Sequence, residues 1–361
     1  MFEERDTVGR ASQINKRGWA RVTTLKVNER GGLWRPSLSW ISFLVRTIRH
    51  VTSIAGIAIS GGNPILKSPN FFVLGAPKCG TTALHTFLQE HPDIFLPRIK
   101  EPHFYLTDVQ GYPRISSRRE YDSLFRGANE KHQAVGESSV FYLYSREAVP
   151  NILSDHPDAK FIVLLRDPVQ LVHSLHSQYV YGFVESEQSF EVAWGLQKDR
   201  RQGLRLPQCC SFPQLLQYSQ VAMLGEQVER LLNHVPAERV LFIEFNDIQK
   251  SFRDVYLRTL GFLGVRDDGR TEFPKINGNR RHSNPWISRL LMHPPFPLNH
   301  MKNAAKCCLR LHDTKIMAWI YKTMQVSEAR TQLHDDFRRS LQDHFCDDQQ
   351  KLQRILTQVV E

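Results

Sequence analysis

The sequence predicts an α/β protein of three layers, in which a central parallel sheet lies between two layers of helices. Two observations carry this prediction: short, continuously apolar runs of the kind that parallel sheets bury on both faces, and helical stretches that separate those runs. The strand-like runs are Phe71–Leu74, Ala134–Glu137, Phe161–Leu165 and Val240–Phe245. The helical stretches are Ser145–Leu153, Val169–Tyr181, Gln214–Asn233 and Gln349–Val360, and a Gly/Asn/Arg-rich loop is predicted over Phe273–Ser283.

The overall composition is that of a globular protein with an unevenly placed charge. The chain has 361 residues, of which 41% are hydrophobic and 23% charged, and its formal net charge is +10. Residues 1–69 contain eleven Lys and Arg against four Asp and Glu, so most of the excess lies there. The remaining chain is only mildly basic, which suits a small anionic ligand better than a nucleic-acid track. We therefore expect no nucleic-acid partner.

This charge distribution divides the chain into a basic N-terminal extension, 1–69, and a domain, 70–361. Within the extension, residues 34–52 combine apolar positions at three- and four-residue steps with interspersed arginines, which predicts a basic amphipathic helix. Two interpretations stand at equal weight: peripheral docking on an anionic membrane surface, and packing on the protein's own domain. Arg46 and Arg49 interrupt the apolar stretch well short of the roughly 20 residues that a membrane-spanning helix needs.

Cysteine usage and the N-terminus bear on localisation. The six cysteines show no CxxC or Cys/His spacing, so a structural zinc site is not expected, and they do not form a secreted disulfide framework. No apolar core follows a short basic start, as it would in a signal peptide. The sequence therefore predicts a cytoplasmic protein without a transmembrane segment, with membrane association left open by the helix at 34–52. It leaves the oligomeric state open.

The chain's most informative stretch is Phe71–Glu90, which reads as a buried strand, a glycine-bounded loop and a helix. That order directs backbone N–H groups and the positive end of a helix dipole at an anion. The spacing Gly75-x4-Gly80 is that of a Walker A loop, but the position of the Walker lysine is Thr81, and the loop's lysine is Lys78. The stretch therefore predicts a P-loop-like phosphate site that is not built for ATP.

A second anion-binding group follows another strand. Arg166 ends the run Phe161–Leu165, Asp167 is placed to cap the next helix, and Ser174 lies about two turns into that helix. Two strand ends thus carry anion-binding groups. Together they suit a ligand with phosphates at two separated positions.

Three segments of the chain resemble the PAPS-dependent sulfotransferases, in particular their heparan-sulfate and bacterial carbohydrate branch. The loop GAPKCGTT at 75–82 resembles the 5′-phosphosulfate loop of that family, and Arg166-Asp167-Pro168 with Ser174 resembles its 3′-phosphate strand and helix. Between them, KEPHF at 100–104 is similar to the segment with the catalytic glutamate. The resemblance covers roughly residues 70–360, and it implies the P-loop-like sulfotransferase fold and a PAPS-dependent enzyme.

The resemblance also implies roles for individual residues. Lys78 would stabilise the leaving phosphate oxygen, Glu101 would act as general base, and His103 is the rival base. PAPS would be the donor and PAP the product, with no metal required. Backbone or side-chain groups of the following residues would bind the nucleotide: Pro77, Lys78, Cys79, Gly80, Thr81, Thr82, Arg166, Ser174, Arg280 and Arg281.

The acceptor implied by the resemblance is a hydroxyl or amine of a carbohydrate or glycolipid. Some heparan-modifying members have a lysine after the glutamate that matches Glu137, whereas this chain has Ser138, and a tyrosine of many relatives is replaced by Leu224. These departures keep a non-catalytic nucleotide-binding relative as an alternative. A P-loop-type nucleotide or small-molecule kinase is the other alternative, although it would require a lysine where Thr81 stands.

Overall fold

The structure is a computed structural model that describes residues 67–274, 276, 280–282, 325–327 and 332–360, with the backbone alone at 280–282 and 325–327. Of the predicted extension, therefore, only residues 67–69 are described, and the predicted amphipathic helix at 34–52 lies outside the described residues. In the part of the chain that is described, no helix is long and apolar enough to cross a membrane.

A five-stranded, all-parallel sheet with flanking helices forms the centre of the fold, which confirms the predicted fold class. The strand order is β2-β3-β1-β4-β5, so β1 lies in the middle. A separate antiparallel pair, β6 with β7, includes a short strand within the predicted loop 273–283. The strands are β1 Phe71–Gly75, β2 Ile94–Phe95, β3 Ala134–Ser138, β4 Lys160–Leu165, β5 Val240–Glu244, β6 Arg280–His282 and β7 Gln325–Ser327.

The helices alternate with these strands. They are α1 Thr81–Gln89, α2 Arg118–Ser123, α3 Ala148–Asp155, α4 Pro168–Tyr181, α5 Phe190–Gly195, α6 Gln197–Arg201, α7 Tyr218–Val221, α8 Leu224–Leu232, α9 Phe245–Lys250, α10 Phe252–Leu263 and α11 Asp335–Val360, with 3₁₀ turns at Pro213–Leu216 and Ala237–Arg239. The four predicted strands are each confirmed within about one residue. The two-residue strand β2 was not predicted, because a pair of apolar residues has no readable periodicity.

The prediction of a single helix over Gln214–Asn233 is wrong. The chain there forms a 3₁₀ turn, α7 and α8, with non-helical backbone at Gln217 (ψ 73°) and Met223 (ψ 71°). At both breaks a glutamine side chain bonds to backbone carbonyls. The Gln217 amide donates to the Gln197 carbonyl at 3.0 Å, and the Gln227 amide donates to the carbonyls of Gln220 and Val221 at 3.1 Å each.

The C-terminal helix α11 packs on α8 and α4, and it is longer than the predicted Gln349–Val360. Leu341 and Phe345 of α11 are fully buried. The buried Asp348 carboxylate accepts the amides of Gly225 and Glu226 at 2.8 and 2.9 Å, so it caps the first turn of α8 from another element. Apolar burial and this cap together attach the helix to the domain.

The central strand β1 has no room for additional volume. Phe71 to Leu74 are fully buried, and Gly136 of β3 lies opposite Phe71 in the parallel register. A Cβ atom at Gly136 would lie 2.2 Å from the Phe71 ring. A residue at position 136 must therefore be glycine, or the ring must move.

We predict that Gly136→Ala lowers the free energy of unfolding by about 1–3 kcal/mol, because the methyl group overpacks the core against Phe71. The matched control is Gly261→Ala on the exposed side of α10, where a Cβ meets nothing within 4 Å. That change should be neutral or stabilising by up to about 1 kcal/mol. Urea unfolding of both variants measures the difference, and equal stabilities would contradict the packing argument.

Candidate active site

The predicted phosphate loop occupies residues 76–80, between the end of β1 and the start of α1. Gly80 is the N-cap residue of α1, and its φ of 92° is left-handed. Gly80 provides no side-chain cap, and no acidic residue lies in the first turn of the helix. The N-terminus of α1 therefore keeps its partial positive charge for an anionic group.

Two residues of this loop have distinct properties. The backbone of Lys78 is left-handed, with φ of 65°. The Cys79 side chain is fully buried, and burial raises the pKa of its thiol to about 12 although Arg166 and Lys78 act in the opposite direction. Cys79 is therefore a neutral thiol near pH 7, and only its backbone can contribute to ligand binding.

Arg166 contacts the phosphate loop directly. Its Nη1 atom donates to the Lys78 carbonyl at 2.8 Å, and its guanidinium lies over the Phe245 ring with 4.2 Å from Cζ to the ring centroid. The Gln170 Oε1 atom accepts from the same guanidinium at 3.2 Å. The two strand ends that the sequence singled out thus meet in one place.

Phe245 is a residue that sequence reasoning missed as part of this site. It follows β5 directly and lies beside both Arg166 and the space at Gly80, where a Cβ atom would be 3.6 Å from its ring. Its position at the end of a strand-like run was the available signal. Neighbouring parallel strands place their carboxyl ends together.

Ser174 lies on α4, the helix that Asp167 caps by accepting the Gln170 amide at 2.8 Å. Its hydroxyl is buried and has no hydrogen-bond partner among the described residues. Such a group is uncommon in a folded protein and points to a ligand or water that completes its bonding. Strand β6 packs near α4, so the backbone at Arg280 and Arg281 lies in this region; their side chains lie outside the described residues.

The segment 100–105 lies against β3, the strand that pairs with β1 on the side opposite β4. Glu101 and His103 both have left-handed backbone, with φ of 63° and 50°. Lys100 forms an ion pair with Glu101, and His103 Nε2 lies 3.4 Å from Glu101 Oε2, which is long for a hydrogen bond. The Glu101 side chain is about one-third exposed, whereas the His103 side chain is buried.

These neighbours determine the charges of the two candidate bases. Burial would raise the pKa of Glu101, but His103 and the adjacent Lys100 charge outweigh it and lower the pKa to about 2. Burial lowers the pKa of His103, against the opposing effect of Glu101. Near pH 7 Glu101 is therefore ionised and His103 neutral, so each has a lone pair that can accept a proton.

His85 of α1 connects the phosphate-loop helix to β3. Its Nδ1 atom and the Ser138 hydroxyl are 2.9 Å apart in a buried hydrogen bond, and burial lowers the pKa of His85 to about 4, with the Lys100 charge acting in the same direction. The Glu101 amide donates to the Ser138 carbonyl at 2.9 Å, so segment 100–105 and His85 of α1 both bond to Ser138. The structure thus brings the loop with Lys78 and the segment with Glu101 and His103 to the same edge of the sheet.

Glu137 is a fully buried acid behind this segment. Its carboxylate accepts the hydroxyls of Ser139 and Tyr121 at 2.6 Å each, so hydroxyl groups satisfy it rather than the backbone N–H groups expected for a buried acid. Burial raises the pKa of Glu137 to about 7, while the hydroxyls of Ser139, Tyr121 and Tyr142 act in the opposite direction.

A parallel sheet with a phosphate-type loop at the carboxyl ends of its strands has its candidate site where open α/β sheets bind their ligands. Residues 68–279 match the family model of the sulfotransferase domain. That match covers more than half of the chain, so the chain belongs to the sulfotransferase family.

Curated relatives and solved structures agree with this membership. The chain is 32% identical over 162 residues to carbohydrate sulfotransferase 15 of Mus musculus, a match that covers 34% of this chain and 28% of that protein. It is 34% identical over 110 residues to the membrane-associated sulfotransferase kil1 of Dictyostelium discoideum, with 29% of this chain and 22% of that protein covered. These matches span well under half the length of the curated relatives.

A solved structure covers more of the chain. The sulfotransferase from Alicyclobacillus acidocaldarius is 29% identical and superimposes with a TM-score of 0.52, over 62% of this chain and 90% of that one. The predicted family and fold are thereby confirmed. The roles of individual site residues remain predictions.

A pH dependence of stability follows from the burial of Glu137. Its pKa is about 7 in the folded protein against an ordinary 4.5, so the folded state holds this proton more tightly than the unfolded chain does. The stabilisation is complete below about pH 4.5 and is lost as the pH rises through 7. The unfolding free energy of the wild type should therefore fall by up to about 3 kcal/mol between pH 4.5 and 7. This fall should be absent in Glu137→Gln.

Urea unfolding at pH 5, 6, 7 and 8 measures this difference. The control variant is Glu147→Gln, whose glutamate is exposed at the start of α3 and should keep the wild-type pH slope. Parallel curves for wild type and Glu137→Gln would show that burial does not raise the pKa of Glu137.

Proposed function

We propose that the protein transfers a sulfuryl group from PAPS to a hydroxyl or amine of an acceptor, and that the acceptor is a carbohydrate or glycolipid. The observation that carries this proposal is the 2.8 Å contact between the Arg166 guanidinium and the Lys78 carbonyl. It means that one ligand of nucleotide size can reach both anion-binding groups. Membership of the sulfotransferase family selects the chemistry among the possible uses of such a site.

The donor groups fit a nucleotide with phosphates at both ends. On one side, the N–H groups of Cys79, Gly80, Thr81 and Thr82 at the start of α1 would hold a 5′-phosphate, as helix N-termini do. On the other side, Arg166 and the unpartnered hydroxyl of Ser174 would bind a 3′-phosphate. Pro77, Arg280 and Arg281 remain predicted contacts. PAPS supplies the sulfuryl group when it is bound.

The catalytic residues would act through charge and position. Sulfuryl transfer resembles phosphoryl transfer, in which negative charge builds on the leaving oxygen and catalysis consists mainly of positioning and electrostatics. Lys78 would neutralise that charge, and Glu101 would take the proton from the acceptor, with His103 as the rival base. No metal ion is required in this proposal.

The sugar acceptor is supported by the names of the relatives. A further relative, heparan sulfate glucosamine 3-O-sulfotransferase 3B1 of Mus musculus, is 27% identical over 198 residues, which cover 55% of this chain and 46% of that protein. Together with carbohydrate sulfotransferase 15, it favours a carbohydrate over a small phenol or steroid. A cytoplasmic location and a peripheral membrane contact through residues 34–52 stay predictions of the sequence.

We predict that Glu101→Gln lowers kcat by about 10²- to 10⁴-fold, because the amide cannot accept the acceptor's proton. The dissociation constant of PAP should stay within twofold of wild type, since Glu101 is not among the residues proposed to hold the nucleotide. Mass spectrometry of sulfated products from a panel of sugars and glycolipids measures turnover, and calorimetry measures PAP binding. Tighter binding of ATP with magnesium than of PAP would instead favour the kinase alternative.

A second prediction concerns Lys100, whose charge lowers the pKa of both candidate bases. Lys100→Met removes a positive charge that lowers the pKa of Glu101, so that pKa should rise towards its ordinary 4.5. A base must be deprotonated to act, so the acid limb of kcat/KM should move to higher pH. Lys100→Arg keeps the charge and serves as the control. If the wild-type profile already falls between pH 5 and 7 in the manner of a histidine, His103 rather than Glu101 is the base.

A further inference from the structure

The segment that carries Glu101 and His103 needs an external support. Both residues have left-handed backbone, which non-glycine residues rarely adopt and which persists only where the surroundings fix it. Neither residue lies in a helix or strand, so regular secondary structure does not supply that support. The segment's geometry must come from the elements against which it packs.

The end of β3 and the turn after it provide this support. The Glu101 amide donates to the Ser138 carbonyl at 2.9 Å, and the His103 amide donates to the Ser139 hydroxyl at 3.1 Å. Two residues further on, the Tyr105 amide donates to the Tyr142 hydroxyl at 3.1 Å. Alternate amides of the segment are thus bound by one short stretch of chain.

Two of these three acceptors are hydroxyls, and the Ser139 hydroxyl is the one that bonds the amide of a candidate base. A hydroxyl can rotate, and it accepts from the His103 amide only while its own proton points elsewhere. Glu137 Oε1 accepts a hydrogen bond from the Ser139 hydroxyl at 2.6 Å, and both side chains are buried. The carboxylate thereby keeps the lone pairs of Ser139 directed at the His103 amide.

The Glu137 carboxylate has a second hydroxyl partner besides Ser139. Its second oxygen, Oε2, accepts the Tyr121 hydroxyl at 2.6 Å, and the Tyr121 ring stacks on Phe104 with centroids 4.3 Å apart. The Glu137 side chain is buried, and both of its oxygens accept from buried hydroxyls. Glu137 therefore cannot touch the acceptor itself, but it is placed to determine where the segment lies.

We propose that Glu137 is a positioning residue for the two candidate bases, acting through the Ser139 hydroxyl on the backbone of the segment that carries Glu101 and His103. The inference rests on the proposed sulfotransferase function. In this inference Glu137 contributes to catalysis although it contacts neither PAPS nor the acceptor.

Two variants break the connection at different points. Glu137→Met keeps the approximate side-chain volume but removes the acceptor, and Ser139→Ala removes the hydroxyl between the carboxylate and the segment. Both should lower kcat by about tenfold or more, since a shift of about 1 Å at a base can cost up to roughly 100-fold. KM for PAPS and the PAP dissociation constant should stay within twofold. The double variant should be no worse than the worse single one, because both act on one chain of bonds.

The controls distinguish positioning from a general loss of stability. Tyr121→Phe removes a hydrogen bond from the same carboxylate but from the oxygen that does not face Ser139, so it should lower the melting temperature while kcat stays within about threefold of wild type. Ser139→Thr keeps the hydroxyl and should restore most of the activity that Ser139→Ala loses. Equal losses of kcat in Tyr121→Phe and Glu137→Met would overturn the proposal.

A measurement without turnover keeps the test independent of the proposed function. Hydrogen exchange of the His103 amide should accelerate by at least about tenfold in Glu137→Met and Ser139→Ala and remain near wild type in Tyr121→Phe. If the wild-type protein sulfates no acceptor, the proposed function fails while this exchange pattern still supports the positioning role. Unchanged exchange in both variants overturns the inference, whatever the activity.

Discussion

The parallel pairing of β1 with β4 determines where every other part of the site lies. The register aligns Val73 with Ile162 and then shifts by one residue at Gly75, so β4 extends beyond the end of β1. The Ala76 amide follows with a bond to the Leu164 carbonyl, and Arg166 then emerges beside the phosphate loop. A slip of this register would move the guanidinium away from the Lys78 carbonyl and separate the two anion-binding groups.

The opposite edge of β1 imposes a second constraint. Gly75 has φ of 121°, and a Cβ atom there would lie 2.1 Å from the Val140 carbonyl oxygen. The phosphate loop is therefore held between the tip of β4 on one side and the turn after β3 on the other. Arg166, which is predicted to bind the nucleotide, lies towards β4, whereas the segment with the candidate bases lies towards β3. Because β1 lies between β3 and β4, the phosphate loop that follows it borders both sets of residues.

The electrostatics of the β3 side involve a compromise. A carboxylate with a pKa near 2 is ionised at any physiological pH, but by the same measure it is a weak base. His103 is the stronger base in principle, yet burial lowers its pKa, and its ring nitrogens have no hydrogen-bond partner among the described residues. Glu101 and His103 share one environment, so the pKa of each depends on the charge of the other.

The elements that could be predicted from the sequence are those whose signal is local. The buried strands, the glycine-bounded loop and the helix capped by Asp167 each depend on residues within about ten positions of one another. The break of the stretch 214–233 depends on Gln217 bonding to Gln197, and the support of Glu101 depends on β3, 37 residues away at Ser138. Such contacts exist only after the sheet has formed, and no periodicity in the sequence predicts them.

The same distinction applies to the part of the site that would select the acceptor. Its surroundings come from two irregular segments, which meet where a Cβ on Gly111 would lie 1.8 Å from the Ser211 carbonyl oxygen. The Tyr112 ring then lies between His103 and Phe212, with centroid distances of 4.8 Å to each. Strand ends and a helix dipole determine the proposed nucleotide-binding half through the fold itself, whereas the aromatic wall beside His103 depends on loop residues that the sheet does not constrain. Substitutions in those loops can therefore change the acceptor while the sheet and its anion-binding groups stay as they are.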